Sequence, residues 1–326
     1  LAGLKLIEQG KLAFDTPVAD YIPQLRDPVI VDSLSTTKTT FRPAKNVLIV
    51  RHLFNFTSGL CYPQDGGTMS TGGMRLTEWF NMLKGDLPGV PLKFEPGTDC
   101  TSDVLGFVIE KASGQTLEQF FKEHIFKALD MESSFYLTPE LKERFVDLSW
   151  REKDGSLSPW SNQETIIERP PNVCNPLHIQ LHLGGVGLYS SMRDYLKLLR
   201  HLLKINAGIP VANPILTQES VRSIWVPALP EASEKSINEF FNLFSFDFPY
   251  SLQRGTAMAI NQKNWPNQRK KGVAFWAGYA GTEHFIDPAN GLAVVFGVQI
   301  LPWGDKEVAR TLYPELEQLI YAGLEH

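Results

Sequence analysis

The chain has 326 residues, 43% hydrophobic and 21% charged, so it can bury a sizeable core, and its formal net charge is only −5. Neither sign forms a long run, which excludes an electrostatic footprint for nucleic acid; the longest basic cluster, Arg269-Lys270-Lys271, reads as a solvated strand entry. No stretch approaches the ~20 apolar residues that span a bilayer, and Cys61, Cys100 and Cys174 are too scattered for a disulfide framework, which fits a reducing, cytoplasmic setting.

Leu1, Leu4, Leu6 and Ile7 share one side of a short helix that stops at Gly10, with Lys5 and Glu8 outward. Apolar spacing without an N-cap is the mark of a helix tail, and the chain opens without a methionine, so a preceding segment is expected. A turn-rich stretch follows. Residues 47–56 read as a buried helix ending in Thr57-Ser58-Gly59, and residues 62–73 as a Gly/Ser/Thr-rich loop. Residues 76–83 form a short amphipathic helix and residues 86–97 a Pro/Gly loop. Two further helices, 103–112 and 116–129, flank Ser113-Gly114; the first is nearly all apolar and should be central to a helical lobe. Ser190 or Ser191 is a good N-cap for a helix over 193–203.

The last third changes character. Residues 272–276, 283–286 and 292–299 read as strands, with a turn from Asp287 to Gly291, and residues 308–324 as a closing amphipathic helix. Helices in the middle and an antiparallel sheet at the end imply an α+β fold. One domain is expected, with a helical lobe over about 47–205 and a sheet with its closing helix over about 250–326.

The order of segments resembles a known family. Ile7-Glu8-Gln9-Gly10-Lys11-Leu12, Asp15-Thr16-Pro17-Val18 and Arg51-His52-Leu53-Phe54-Asn55-Phe56-Thr57-Ser58-Gly59-Leu60 are similar to its first block. Phe94-Glu95-Pro96-Gly97-Thr98 with Leu105–Glu110 resembles the second, and Leu183-Gly184-Gly185-Val186-Gly187-Leu188-Tyr189-Ser190-Ser191 the third. Trp276-Ala277-Gly278-Tyr279 resembles the W-x-G form of the K-T-G strand. The family is that of serine β-lactamase-related proteins (class C β-lactamases and penicillin-binding proteins), nearest the family VIII esterases and the fungal lovastatin-type acyltransferases; the tail Gln299-Ile300-Leu301-Pro302-Trp303-Gly304-Asp305 also looks like the fungal branch. The resemblance implies a β-lactamase/transpeptidase-like fold, an antiparallel sheet flanked by terminal helices, with its N-terminal strands ahead of Leu1. It implies serine-dependent acyl transfer on small ester or thioester acyl groups, in the manner of an esterase or a transesterase of fungal secondary metabolism. A small acyl substrate and an acyl-carrier thioester donor would be the partners, with no cofactor, metal, nucleic acid or membrane.

Such chemistry needs a nucleophile, a base and an oxyanion hole. The resemblance places serine and lysine one helical turn apart, in S-x-x-K, at the start of the helix whose tail is Leu1–Gln9; both therefore fall upstream of Leu1. No S-x-x-K within the chain has that helical context, and Ser233-Glu234-Lys235 has the wrong spacing. The motif tyrosine expected after Pro96-Gly97 is also missing, because Asp99-Cys100-Thr101-Ser102 is short and contains none. Cys100 is a lone thiol with no placed base, which is ordinarily inert. By resemblance, the Tyr279 N–H would be one oxyanion donor, and Trp276, Ala277, Gly278, Tyr279, His284 and Trp160 would line the substrate pocket; strand aromatics and a satisfied structural histidine are the alternatives for Trp276, Tyr279 and His284. Trp160 sits in a loop that reads as exposed. His178-x-x-x-His182 has a metal-pair spacing, but it reads as an alternating strand and no Glu follows His178. The competing reading is a catalytically dead relative that keeps the pocket as a binding or scaffold protein.

Overall fold

The computed structural model describes residues 1–33, 40–60, 75–98, 104–160, 179, 181–185, 187–242, 251–302 and 304–324. Cys61, Cys100, Cys174, His178, Trp303, the 62–73 loop and the Asp99–Ser102 segment lie outside them.

Chain order builds a helical lobe first. The helix Ala2–Glu8 buries Ala2, Gly3, Leu4 and Leu6 and ends before Gly10, which has φ 68°, as its apolar spacing predicts. Val29–Ser33 (β1) pairs antiparallel with Thr40–Pro43 (β2) and parallel with Pro91–Leu92 (β3), a small sheet inside what reads as a turn-rich stretch. The helix expected over 47–56 covers only Val50–Phe54. Ahead of it, Val18 N–H donates to Leu48 O (2.9 Å) and Val50 N–H to Thr16 O (3.0 Å), so this backbone is already committed to extended pairing, and Val47 is exposed. Helices Leu76–Lys84 and Leu105–Ser113 follow; Gly114, in the left-handed region, ends the second. The expected 116–129 helix is continuous, capped by Thr116 and widened by one loose turn over Lys122–Phe126. Leu181–Leu183 are buried but belong to no strand, against the alternating reading.

Ser149–Arg151 (β4) and Leu157–Pro159 (β5) form an antiparallel pair. The helix Met192–Asn206 then starts at Ser191, whose hydroxyl accepts from Asp194 N–H (3.1 Å). A helix over Glu231–Asn242 was not anticipated from the sequence.

Leu252–Arg254 (β6), Ala259–Asn261 (β7), Ala274–Ala277 (β8), Glu283–Asp287 (β9) and Leu292–Phe296 (β10) make one antiparallel sheet in the order β10-β9-β8-β7-β6. Ile300–Leu301 (β11) leaves it to pair with β4. The strand period of two sorts the sheet's faces. Ala274 and Ile286 join the large apolar core of the helical lobe, whereas Phe275 and Phe285 pack with Tyr321 of the closing helix Tyr313–Ala322. Burial on both sides is why β8 reads as an unbroken apolar run, while β9 is apolar only at Phe285 and Ile286.

Arg269 is a correction. It is no solvated strand entry: it is 2% exposed, donates to Glu317 (Nη2–Oε2 2.7 Å) and to the Tyr313 hydroxyl (2.8 Å), and lies among the Trp265, Phe275 and Phe285 rings. Burial disfavours its charge, but the Glu317 carboxylate overrides this and holds the guanidinium well above its ordinary pKa. Among the described residues no helix is long and apolar enough to cross a membrane.

Candidate active site

The motif blocks, scattered over more than 200 residues, converge. Gly97 N–H donates to Thr57 O (2.7 Å) and Lys93 N–H to Gly59 O (2.9 Å), which lays the Phe94–Thr98 block along the Arg51–Leu60 block. Gly59 has φ 82°, and a Cβ there would stand 2.6 Å from Phe94 O, so this close approach requires glycine. The loop is braced from inside: the Thr57 hydroxyl donates to Asn55 Oδ1 (2.7 Å), and Asn55 Nδ2 donates to Ala228 O (3.1 Å). The third block reaches the helix Leu105–Ser113 at Gly184, where a Cβ on Gly106 would lie 3.5 Å from Gly184 N.

Phe56 connects these loops to β8. Its φ is 62°, a left-handed backbone that a side chain rarely adopts. Its ring meets Trp276 edge-on at 5.4 Å. Trp276 also packs against Phe241 (5.6 Å), so this tryptophan is part-buried in an aromatic cluster and is not simply a pocket wall.

Past Trp276 and Ala277, residues 278–282 form the turn into β9. Gly278 N–H donates to Thr282 O (2.6 Å) and Gly281 N–H to Gly278 O (3.2 Å). A Cβ at Gly278 would sit tightly in the turn, 3.2 Å from Thr282 Cβ. The Tyr279 N–H donates to no partner among the described residues, and the Tyr279 side chain is 57% exposed at the rim. Ala280 O accepts from Ile300 N–H (3.0 Å), which ties the β11-β4-β5 sheet to this turn.

Trp160 closes β5. Contrary to the exposed-loop reading, it is part-buried and stacks on Trp150 (4.7 Å, 30° between planes), and its buried indole N–H has no partner among the described residues. Trp150 stands beside Leu301 in the register, so the stacked pair sits on the sheet tied to the Tyr279 turn.

His284 pairs in register with Trp276 and shares its face. Its Nε2 lies 3.4 Å from the Tyr195 hydroxyl, with the rings at 4.9 Å. Burial, then the Arg269 charge, lowers its pKa to about 4, and burial pushes Tyr195 up to about 12. Both are neutral near pH 7, and the hydrogen bond between the phenol and Nε2 runs in the direction set by the imidazole tautomer. His182 holds no metal partner among the described residues: its Nδ1 is 2.7 Å from Glu110 Oε1 and its Nε2 is 2.9 Å from the Tyr136 hydroxyl. One spacing escaped the sequence reading. Ser35-Thr36-Thr37-Lys38 is an S-x-x-K, but it joins β1 to β2, it does not lead into a helix, and it lies outside the described residues.

Glu283 and His284 predict opposite pH responses. Burial, reinforced by Glu317, raises Glu283 to about 7 from 4.5, whereas His284 falls from 6.5 to about 4. For His284, the unfolded chain holds more protons between those values, so its contribution is complete above pH 6.5 and is lost as pH falls. For Glu283, the native state holds more, so acidification from pH 7 adds stability. Each amounts to about 2 kcal/mol between pH 7.5 and 5. Urea midpoints at these two pH values should therefore drop on acidification in Glu283→Gln and rise in His284→Asn, each relative to wild type. Two variants that track wild type would refute the assignment.

A helical lobe laid on one face of a five-stranded antiparallel sheet, with a closing helix on the other and motif loops meeting at one strand, defines a serine-transpeptidase type of architecture. The chain belongs to the β-lactamase family, whose model matches residues 1–317. It is 27% identical to the monacolin J acid methylbutanoyltransferase of Aspergillus terreus, over 99% of this chain and 79% of that one. It is 28% identical to the esterase EstB of Burkholderia gladioli, over 90% of this chain and 73% of that one. Among solved structures, a simvastatin synthase variant from Aspergillus terreus superposes with a TM-score of 0.78 at 25% identity, covering 99% of this chain and 78% of its own. Relatives in this family are thus acyltransferases and an esterase.

Proposed function

We propose that this protein is a serine-dependent acyltransferase or esterase acting on small ester or thioester acyl groups, with the Tyr279 N–H as an oxyanion donor and the S-x-x-K pair supplied by sequence ahead of Leu1. The observation that carries the reading is the convergence of the Arg51–Leu60 and Phe94–Thr98 blocks on β8, beside a turn that leaves the Tyr279 N–H without a partner among the described residues. A donor that makes no bond among the described residues is available to meet developing negative charge on a tetrahedral intermediate. Trp160, stacked on Trp150, and the exposed Tyr279 ring offer an apolar rim for the substrate. Likeness to the methylbutanoyltransferases supports a branched short-chain acyl group; an acyl-carrier thioester donor and an alcohol acceptor complete the proposal. Hydrolysis or transfer then depends on whether water or an alcohol reaches the acyl-enzyme.

The test uses the product of the complete gene. Burst hydrolysis of p-nitrophenyl butyrate with covalent labelling by a fluorophosphonate is expected, and the labelled peptide should contain the serine of an S-x-x-K ahead of Leu1. Labelling without that serine, or no labelling, would sink the reading. The second reading, a catalytically dead relative that retains the pocket for binding, is favoured by the absence of tyrosine from Asp99-Cys100-Thr101-Ser102. It predicts saturable ester binding with no turnover.

A further inference from the structure

We infer that Arg254 is a positioning residue of this site: a buried cation packed against both the Phe56 and the Trp276 ring that orients the strand leading to the Tyr279 N–H. The inference rests on the acyl-transfer reading above. Arg254 ends β6, two strands from β8, and is only 2% exposed. Its guanidinium carbon lies 3.4 Å from the Phe56 ring centroid and 4.5 Å from that of Trp276, and its Nη2 donates to Ala257 O (3.2 Å).

Two independent observations point the same way. Phe56 keeps a left-handed backbone at φ 62°, where only a surrounding that over-determines the ring would hold it. And a charge has been taken out of water at a spot where a methionine could fill the space beside the two rings without that desolvation cost. What a methionine cannot supply is a flat, charged plate. A guanidinium packed against a ring restrains its plane, here most closely that of Phe56, which in turn meets Trp276 edge-on, whereas lysine offers a point charge on a flexible stem. Phe56 and Arg254 together bear on the ring of Trp276, three residues before Tyr279, and the intervening turn is stiffened by the Gly278–Thr282 and Gly281–Gly278 hydrogen bonds. A tilt of Trp276 is therefore transmitted to the donor instead of being absorbed by the turn.

The experiment compares Arg254→Ala, Arg254→Met and Arg254→Lys in the product of the complete gene, with p-nitrophenyl butyrate as substrate. All three are expected to lose roughly 10- to 100-fold in kcat with KM changed by less than about threefold, since misplacement of a donor affects the transition state more than substrate binding. Near-UV circular dichroism should show the altered tryptophan environment. Millimolar guanidinium, but not sodium chloride or methylammonium at the same concentration, should restore at least a tenfold gain to Arg254→Ala, a response that a merely structural role would not produce. If Arg254→Met folds and retains wild-type kcat, or if guanidinium gives no rescue of a folded Arg254→Ala, the inference fails while the acyl-transfer reading stands. If the wild-type protein neither turns over the ester nor reacts with a fluorophosphonate, both fail together.

Discussion

Replacing Tyr279 by proline should reduce kcat of the complete enzyme by roughly 10²- to 10³-fold, the cost of deleting one oxyanion donor. Proline removes the N–H and leaves the carbonyl. Because that N–H makes no bond among the described residues, the substitution breaks no hydrogen bond of the turn; Gly278 and Gly281 supply the donors that close it. The companion variant Tyr279→Ala keeps the N–H and discards only an exposed ring, so its kcat should stay within a few-fold of wild type, with the change confined to KM if the ring touches substrate. The pair separates a backbone role from a side-chain role. Retained turnover in a folded Tyr279→Pro enzyme would remove Tyr279 from the oxyanion hole. Should proline perturb the turn, replacing that single amide by an ester deletes the donor alone and decides the matter.

The second large effect concerns stability. In Glu317→Gln, the Arg269 guanidinium stays buried but loses its carboxylate, and breaking a buried pair from one side costs roughly 3–5 kcal/mol. Both residues are about 2% exposed, so water cannot take over the lost bonds. The melting temperature should fall by roughly 5–15 °C, read at a fixed scan rate. The double change Arg269→Met with Glu317→Leu removes both charges and should recover most of the loss. A Glu317→Gln protein melting within about 2 °C of wild type would show that the pair contributes little. The location gives this its functional bearing: the pair ties the closing helix to the sheet face that carries Phe275 and Phe285, on β8 and β9.

Much of the fold was legible wherever local chemistry and burial agree. The helix from Met192 has its serine cap and its apolar spacing in the sequence, and both appear in place. The strands β8 and β10 are apolar runs, β9 carries Phe285-Ile286 at its centre, and a turn of Asp, Pro, Asn and Gly lies between the last two. Failures occurred where a partner distant in the chain decides. Residues 47–49 have helical composition, yet their backbone pairs with residues 16–18. Arg269 sits in a basic triplet that reads as solvated, and only a glutamate 48 residues away makes its burial tolerable. β1 and β2 are short and polar at their ends, so nothing local distinguishes them from the turns around them.

The candidate site divides in the same manner. Motif order alone determined the family, because those glycines and prolines mark turns whose backbone demands are local: Gly59 and Gly281 adopt the left-handed conformations that their residue type permits. The sequence by itself also determined that Asp99-Cys100-Thr101-Ser102 contains no tyrosine and that Trp276 occupies the strand that forms β8. Only the tertiary structure decided what these residues touch. It brought Phe56 and Arg254, some 200 residues apart, into one three-way contact with Trp276, turned His284 toward Tyr195, and stacked Trp160 on Trp150. The physical reason is that side-chain contacts between strands and loops follow from sheet register and from which face is buried. Both are properties of the assembled core, and neither can be read from residue types taken a few at a time.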